Sequence, residues 1–363
     1  MSDAALVGRN VTVRGLKARP ELNGMCAKVE TLDAKSGRYA TRVPILAHPI
    51  LLKSDNLEAA QSPSAAIAAA VAAEHREEVK ERVNAAAAGE IHESGHAVVL
   101  DLEHTGLTEL PEPVGFLAEL RELWLAGNEL VKLPPAVGCL LRLRTLDLDG
   151  NALTMLPASI EHLVGLEALY CNSNRLVAVP DSIGKLRALK ELRLSDNRLG
   201  APGVCLGALP EEFGSLRSLR TLWLARNALS VVPDAICRLI GLEDLDLAGN
   251  ALVALPRELV KLKRLTTLDL QGNTTLVWPP PDVYSQGAEA VRAWLAEDTA
   301  DAATADGDTS DELVVLEGGV DGGNISYAHE ASGSMHQPLA PQDAVSTEGG
   351  GEFIFPGVAP FPR

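Results

Sequence analysis

The sequence predicts an α/β solenoid of about eight 23-residue repeats, each giving one short strand to a parallel sheet on a concave face. A small β-barrel and a helical linker precede it. Three observations carry this. One segment recurs along the chain from Ala97 to Leu276, the apolar residues inside each copy alternate with a period of two, and each copy runs on into an apolar-proline pair.

The barrel is expected at residues 1–57. Val11-Thr-Val-Arg-Gly-Leu16, Ala27-Lys-Val-Glu-Thr-Leu32, Arg38-Tyr-Ala-Thr-Arg-Val43 and Ile50-Leu-Leu-Lys53 read as short alternating strands. Pro20-Glu-Leu-Asn-Gly24 and Ser36-Gly37 supply turns between them. Four or five strands in so short a stretch favour closure over an open sheet. The segment resembles small SH3-like barrels. Its basic residues Arg14, Lys17, Arg19, Lys35, Arg38 and Arg42 read as a solvated surface or as a patch for an acidic partner. Residues 58–95 form a linker or cap, in which the Ala-rich stretch Ser64–Ala88, with mixed charges, has high intrinsic helicity.

The repeats occupy residues 96–276. Leu120-Arg-Glu-Leu-Trp-Leu-Ala-Gly-Asn-Glu-Leu130 recurs with starts at 97, 120, 143, 166, 189, 219, 242 and 265, each step being 23 residues except one of 30. The period of two in Leu123-Trp124-Leu125 sends the leucines to one side and Trp124 to the other. A lone unit cannot bury that apolar side, so stacked neighbours must supply the missing wall. Asn128, Asn151, Asn174, Asn197, Asn227, Asn250 and Asn273 hold the ninth position, where a buried amide can satisfy the backbone of the adjacent turn. Leu110-Pro111, Leu133-Pro134 and their counterparts follow, and the spacing of Val137, Leu140 and Leu143 suits a tight helical return. Thr105 replaces the first asparagine and Thr275 the last leucine, as end units require.

Residues 277–296 read as a C-terminal cap, with Val291, Trp294 and Leu295 as the apolar face of a helix over Gln286–Leu295. Residues 297–363 read as a disordered acidic tail that cannot bury enough apolar area to offset its ordering entropy. Phe353-Ile-Phe-Pro356 and Phe361 at its end could form a short docking peptide.

Charge excludes one class of partner. The chain has 32 Lys plus Arg against 49 Asp plus Glu, a net of −17. Thirteen acids and one base fall in 296–363, whereas nine bases and five acids fall in 1–56. So acidic a chain is ill suited to a phosphate backbone, and no nucleic acid is expected. Five widely spaced cysteines with no Cys-x-x-Cys pair argue against a stapled secreted module. Met1–Gly15 lacks a signal-peptide core, and no apolar run has the length of a membrane helix. The expectation is a cytoplasmic protein without membrane insertion.

The spacing L-x-x-L-x-L-x-x-N-x-L, followed by L-P-x-x-I-x-x-L-x-x-L, resembles the leucine-rich repeat family, and the fold class is therefore a leucine-rich repeat solenoid. Within that family it is similar to the intracellular scaffolds related to Ras signalling, including the plant Ras-group-related members. The resemblance implies a signalling scaffold whose partner is a small GTPase or a phosphatase.

The concave strands offer the natural binding face. Their fifth positions are Asp101, Trp124, Asp147, Tyr170, Arg193, Trp223, Asp246 and Asp269. Strands about 4.8 Å apart set Trp124 and Tyr170 on the order of 10 Å from each other, with Asp147 between them. Neighbouring columns add Arg226, Asn172, Asp196, Asp149, Glu122, Glu191 and Asp244. Trp, Tyr and Arg dominate interface hot spots, and leaving a tryptophan in water forgoes roughly 2–3 kcal/mol of burial. Trp124, Asp147, Tyr170, Arg193, Trp223, Arg226 and Asp246 are therefore the candidate protein-binding residues. The rings could instead merely pack on their strand neighbours, in which case the solenoid is a spacer in a larger assembly.

A catalytic alternative is His92-Glu-Ser-Gly-His96, which fits the zinc-binding H-E-x-x-H pattern, with Glu93 activating water. It runs straight into the first repeat strand at Ala97, which leaves His96 no helix to sit on, and His104 is poorly spaced as a third ligand. A helix-to-strand connection is expected, with no metal, no cofactor and no enzymatic activity. No phosphate-binding, hydrolase or kinase motif occurs. The extra residues around Gly200–Ala208 fall on a rim, where insertions are well tolerated.

Overall fold

A computed structural model describes residues 6–71, 76–88, 98–201 and 209–305, with side chains at 76, 85–88 and 298–305 left aside. All of these residues fall within one unit, Met1–Thr309. The His92–His96 segment, residues 202–208 and the tail from 306 onward, including its phenylalanine motif, lie outside the described residues.

Near the N-terminus, β1 (Asn10–Val13), β2 (Cys26–Asp33), β3 (Arg38–Arg42), β4 (Ile50–Leu52) and β5 (Leu57–Ala59) form an antiparallel sheet of order β4-β3-β2-β1-β5. Val11, Val13, Val29, Tyr39, Leu52 and Leu57 turn inward from it. The β2–β3 turn uses Gly37 at φ 64, and the Asp33 carboxylate accepts from the Lys35 N–H and the Ser36 hydroxyl. β4 and β5 are the outer strands, and no backbone pairing joins them among the described residues.

Two helices follow, in place of the single helix expected over Ser64–Ala88. α1 (Pro63–Ala70) is capped by Ser62, whose hydroxyl accepts from the Ala65 N–H, and it ends at Val71 in an extended conformation. α2 (Arg76–Ala88) is the charged one. The break has a packing reason: Ile67, Val71, Val79 and Val83 all enter the same apolar core as Leu100 on the first repeat strand.

Eight three-residue strands run parallel in sequence order: β6 (Val99–Asp101), β7 (Glu122–Trp124), β8 (Thr145–Asp147), β9 (Ala168–Tyr170), β10 (Glu191–Arg193), β11 (Thr221–Trp223), β12 (Asp244–Asp246) and β13 (Thr267–Asp269). The 30-residue step does not disturb the register, since Arg193 pairs with Trp223 just as Trp124 pairs with Asp147. The leucines at the first, fourth and sixth positions stack into one continuous core.

The ninth-position asparagines tie consecutive repeats together. Asn151 Oδ1 accepts the Leu130 N–H of the preceding unit at 3.0 Å, and its Nδ2 donates to the Leu125 and Leu148 carbonyls. Thr105 keeps part of this pattern by donating to the Leu102 carbonyl at 2.9 Å. After each apolar-proline pair the chain returns through a 3₁₀ turn, such as Glu112–Phe116 or Pro135–Cys139, or in one case through the short α3 (Asp234–Cys237). Successive returns approach so closely that a Cβ on Gly138 would lie 2.5 Å from the Ser159 carbonyl oxygen.

The solenoid ends with α4 (Pro281–Tyr284) and α5 (Ala288–Ala305). Ala288, Val291 and Leu295 are buried against the last repeats, Trp294 meets Trp278 edge-on at 4.8 Å, and Arg292 donates to the Leu262 and Lys263 carbonyls. The helix runs past residue 297, where the tail was expected to begin, because alanines continue to Ala305.

The N-terminal sheet packs on the returns of the first two repeats and not on the strands. Ala136 and Cys139 belong to the sheet's core, and the Cys26 thiol donates to the Glu112 carbonyl at 3.1 Å. That placement keeps the N-terminal sheet off the outward side of the strands.

Candidate functional site

The strand register stacks the fifth positions into one column: Asp101, Trp124, Asp147, Tyr170, Arg193, Trp223, Asp246, Asp269. Because Leu123, Leu146, Leu169, Leu192, Leu222 and Leu245 are fully buried, the residues beside them emerge on the opposite, open side. Trp124, Tyr170 and Trp223 are half-buried and lie on that same face.

Arg193 is the centre of the arrangement. Its guanidinium lies 4.5 Å from the Tyr170 ring centroid and 4.2 Å from that of Trp223, within cation–π range of both. Glu191 fixes it from the neighbouring column, accepting from Arg193 Nε at 2.7 Å and from the Tyr170 hydroxyl at 3.0 Å. The two indoles are anchored alike: Trp124 Nε1 donates to Glu122 and Trp223 Nε1 to Asp244, at 3.2 and 3.1 Å. Burial, and then the Glu191 carboxylate, push the Tyr170 hydroxyl up to about 12.

Two carboxylates of the column, Asp147 and Asp246, behave differently from surface acids. Asp147 is only 7% exposed, and burial lifts its pKa to about 6, with Asp149 and Glu103 adding repulsion. It accepts a hydrogen bond from the Asp149 N–H at 2.8 Å. Burial also raises Asp149, which accepts from Asn172, and Asp246, which accepts from the Ala248 N–H.

A hollow of about 630 Å³ opens on the C-terminal half of the face, lined by Trp223, Asp246, Asp269, Asp196 and Arg226 among others. Arg226 and Asp196 pair there at 2.5 and 2.8 Å. Both residues have positive φ, 49° and 56°, at the eighth position, where Gly127, Gly150, Gly249 and Gly272 serve other repeats. Sequence reasoning missed this backbone outlier, although four glycines in the column were its signal. All seven candidate residues thus share one face, but Asp147 lies deeper than its column suggests and Arg226 is committed to Asp196.

The other candidates are less coherent. Among the basic residues of the N-terminal sheet, Arg14 pairs with Glu58 and Glu112, Arg19 with Glu21 and Arg42 with Glu30. Among the described residues no group of three or more His, Cys, Asp or Glu could hold a metal ion. No described helix is long and apolar enough to cross a membrane.

Residues 96–201 match the family model described as leucine-rich repeat region, and residues 210–274 match that for leucine rich repeat. Over these segments the chain is similar to leucine-rich repeat proteins. Such repeats generally mediate protein–protein interaction and are generally non-enzymatic. No curated protein matches the sequence. Among solved structures, a leucine-rich repeat protein of Leptospira interrogans is 31% identical with a TM-score of 0.42, over 50% of this chain and 53% of that one. This chain therefore spans about half the length of that relative. The leucine-rich repeat ectodomain of the plant membrane receptor kinase GASSHO1/SCHENGEN3 from Arabidopsis thaliana, in complex with Casparian strip integrity factor 2, is also 31% identical. Its TM-score is 0.40, over 46% of this chain and 20% of that one. An internalin of Listeria monocytogenes is 19% identical, TM-score 0.37, over 46% and 49%.

Proposed function

We propose that the chain is a non-enzymatic scaffold or adaptor whose concave face docks a folded protein. Trp124, Tyr170, Arg193 and Trp223 are the anchors, and Asp147, Arg226 and Asp246 flank them. The observation that carries this reading is the Tyr170–Arg193–Trp223 stack on the outward side of the sheet. Three residue types favoured in interface hot spots are pre-positioned together, and their polar ends are already tied to Glu191 and Asp244. That order lowers the entropy lost on binding. The resemblance to Ras-group scaffolds supports a cytoplasmic role in signal transduction, with a small GTPase or a phosphatase as partner. In this reading the N-terminal sheet is an SH3-like module set away from the docking face.

Affinity capture followed by mass spectrometry tests the assignment. Trp124→Ala with Trp223→Ala should abolish partner capture while the thermal unfolding profile stays cooperative. Unchanged capture by the folded double variant would remove the concave face from consideration.

A further inference from the structure

The fifth-position column alternates rings and charges along six successive strands: Trp124, Asp147, Tyr170, Arg193, Trp223, Asp246. One of its spaces, between Tyr170 and Trp223, is filled by the molecule's own guanidinium at 4.5 and 4.2 Å from the two rings. This stack shows what two rings on alternate strands accept at this spacing. The space between Trp124 and Tyr170 has the same two-strand separation, but the residue in the middle is a carboxylate. Beyond Trp223 the pattern repeats with Asp246, at the edge of the 630 Å³ hollow.

The surrounding charge is predominantly negative. In the third, fifth, seventh and eighth positions of the eight units, the only Lys or Arg residues are Arg193 and Arg226. Both are already paired, with Glu191 and with Asp196. Among the described residues Asp147, Asp246 and Asp269 form no direct ion pair; they accept from the backbone N–H groups of Asp149, Ala248 and Gln271, and Arg193 and Arg226 act on Asp147 and Asp246 only through the longer-range field. Carboxylates without a direct ion pair beside ring faces attract a desolvated cation twice over, through charge and through the ring quadrupole. Complementary charge also selects partners and speeds encounter.

We infer that the partner of this face is a basic protein segment, with one Lys or Arg side chain over Asp147 between Trp124 and Tyr170 and another over Asp246 beside Trp223. The inference rests on the docking-face reading above and names the chemistry of the partner.

A fluorescently labelled oligoarginine peptide, with its uncharged oligocitrulline counterpart, tests it on the full chain by anisotropy at near-physiological salt. Asp147→Asn with Asp246→Asn keeps side-chain shape and should weaken oligoarginine binding about tenfold or more. Asp181→Asn with Glu258→Gln makes the same charge change on the exposed 3₁₀ returns and should change it less than about twofold. Oligocitrulline should bind at least about tenfold more weakly than oligoarginine. Equal losses in the two variant pairs would reduce the effect to general field attraction and overturn the inference, as would equal binding of the two peptides. If Asp147→Asn with Asp246→Asn binds like wild type while the tryptophan double variant still loses its captured partner, the cationic assignment fails and the docking face stands.

Discussion

The Arg193 guanidinium lies 4.2 Å from the centroid of the Trp223 ring on the adjacent strand. The pairing is a consequence of register. Parallel strands about 4.8 Å apart place neighbouring fifth positions side by side, and a planar cation can fill the gap between one ring and the next. The solenoid thus converts a sequence interval into a stacking distance.

Removing that cation should loosen both rings. Arg193→Ala is expected to cost about 1 kcal/mol, the order of two partly exposed cation–π contacts less the freed side-chain entropy. Urea unfolding measures the loss, and tryptophan emission should shift to the red as Trp223 gains water.

Asp147 makes stability depend on pH in an unusual direction. Its folded pKa of about 6 exceeds the unfolded value of about 3.9, so the folded state binds this proton more tightly. Its contribution favours folding below about pH 4 and is lost as pH rises through about 6. Asp147→Asn removes the dependence, so the variant should gain on the order of 1–3 kcal/mol relative to wild type between about pH 4 and pH 7. Urea unfolding at several pH values checks this, and a difference flat across that range would show Asp147 to be an ordinary surface acid.

Arg226 holds a left-handed backbone that costs a non-glycine residue about 1 kcal/mol. Its ion pair with Asp196 is exposed on the arginine side, where solvent screens it. Arg226→Gly should therefore leave stability unchanged or raise it by up to about 1 kcal/mol, read as a shift in melting temperature. Partner capture should weaken in the same variant.

The returns make a paired prediction. Gly138→Ala forces a Cβ to 2.5 Å from the Ser159 carbonyl oxygen and should cost about 1–3 kcal/mol. Gly165→Ala meets nothing nearer than the Leu143 carbonyl at 3.8 Å and should stay within about 0.5 kcal/mol of wild type. Denaturation midpoints distinguish the two.

The repeat made the solenoid legible because each leucine and each asparagine has one geometric duty, repeated at a fixed interval. The column of candidate residues followed from the same interval. Its chemistry did not. That Arg193 sits between two rings depends on how Glu191 and Tyr170 direct its side chain, and that Asp147 is nearly covered depends on its neighbours' bulk. Neither can be counted along a chain. The break between α1 and α2 was hidden for a related reason: alanine favours helix everywhere, and only the apolar core beside Leu100 explains why Val71 turns away. The seat of the N-terminal sheet was equally invisible, because Cys26 and Glu112 meet across 86 positions of sequence.

The lengthened step between the fifth and sixth units carries a last consequence. Backbone pairing counts rungs of the ladder, and Arg193 still finds Trp223 opposite although the step between their units is 30 residues long instead of 23. The length of a step and the chemistry on the inner curve can therefore vary independently, since a longer step leaves the rungs in register.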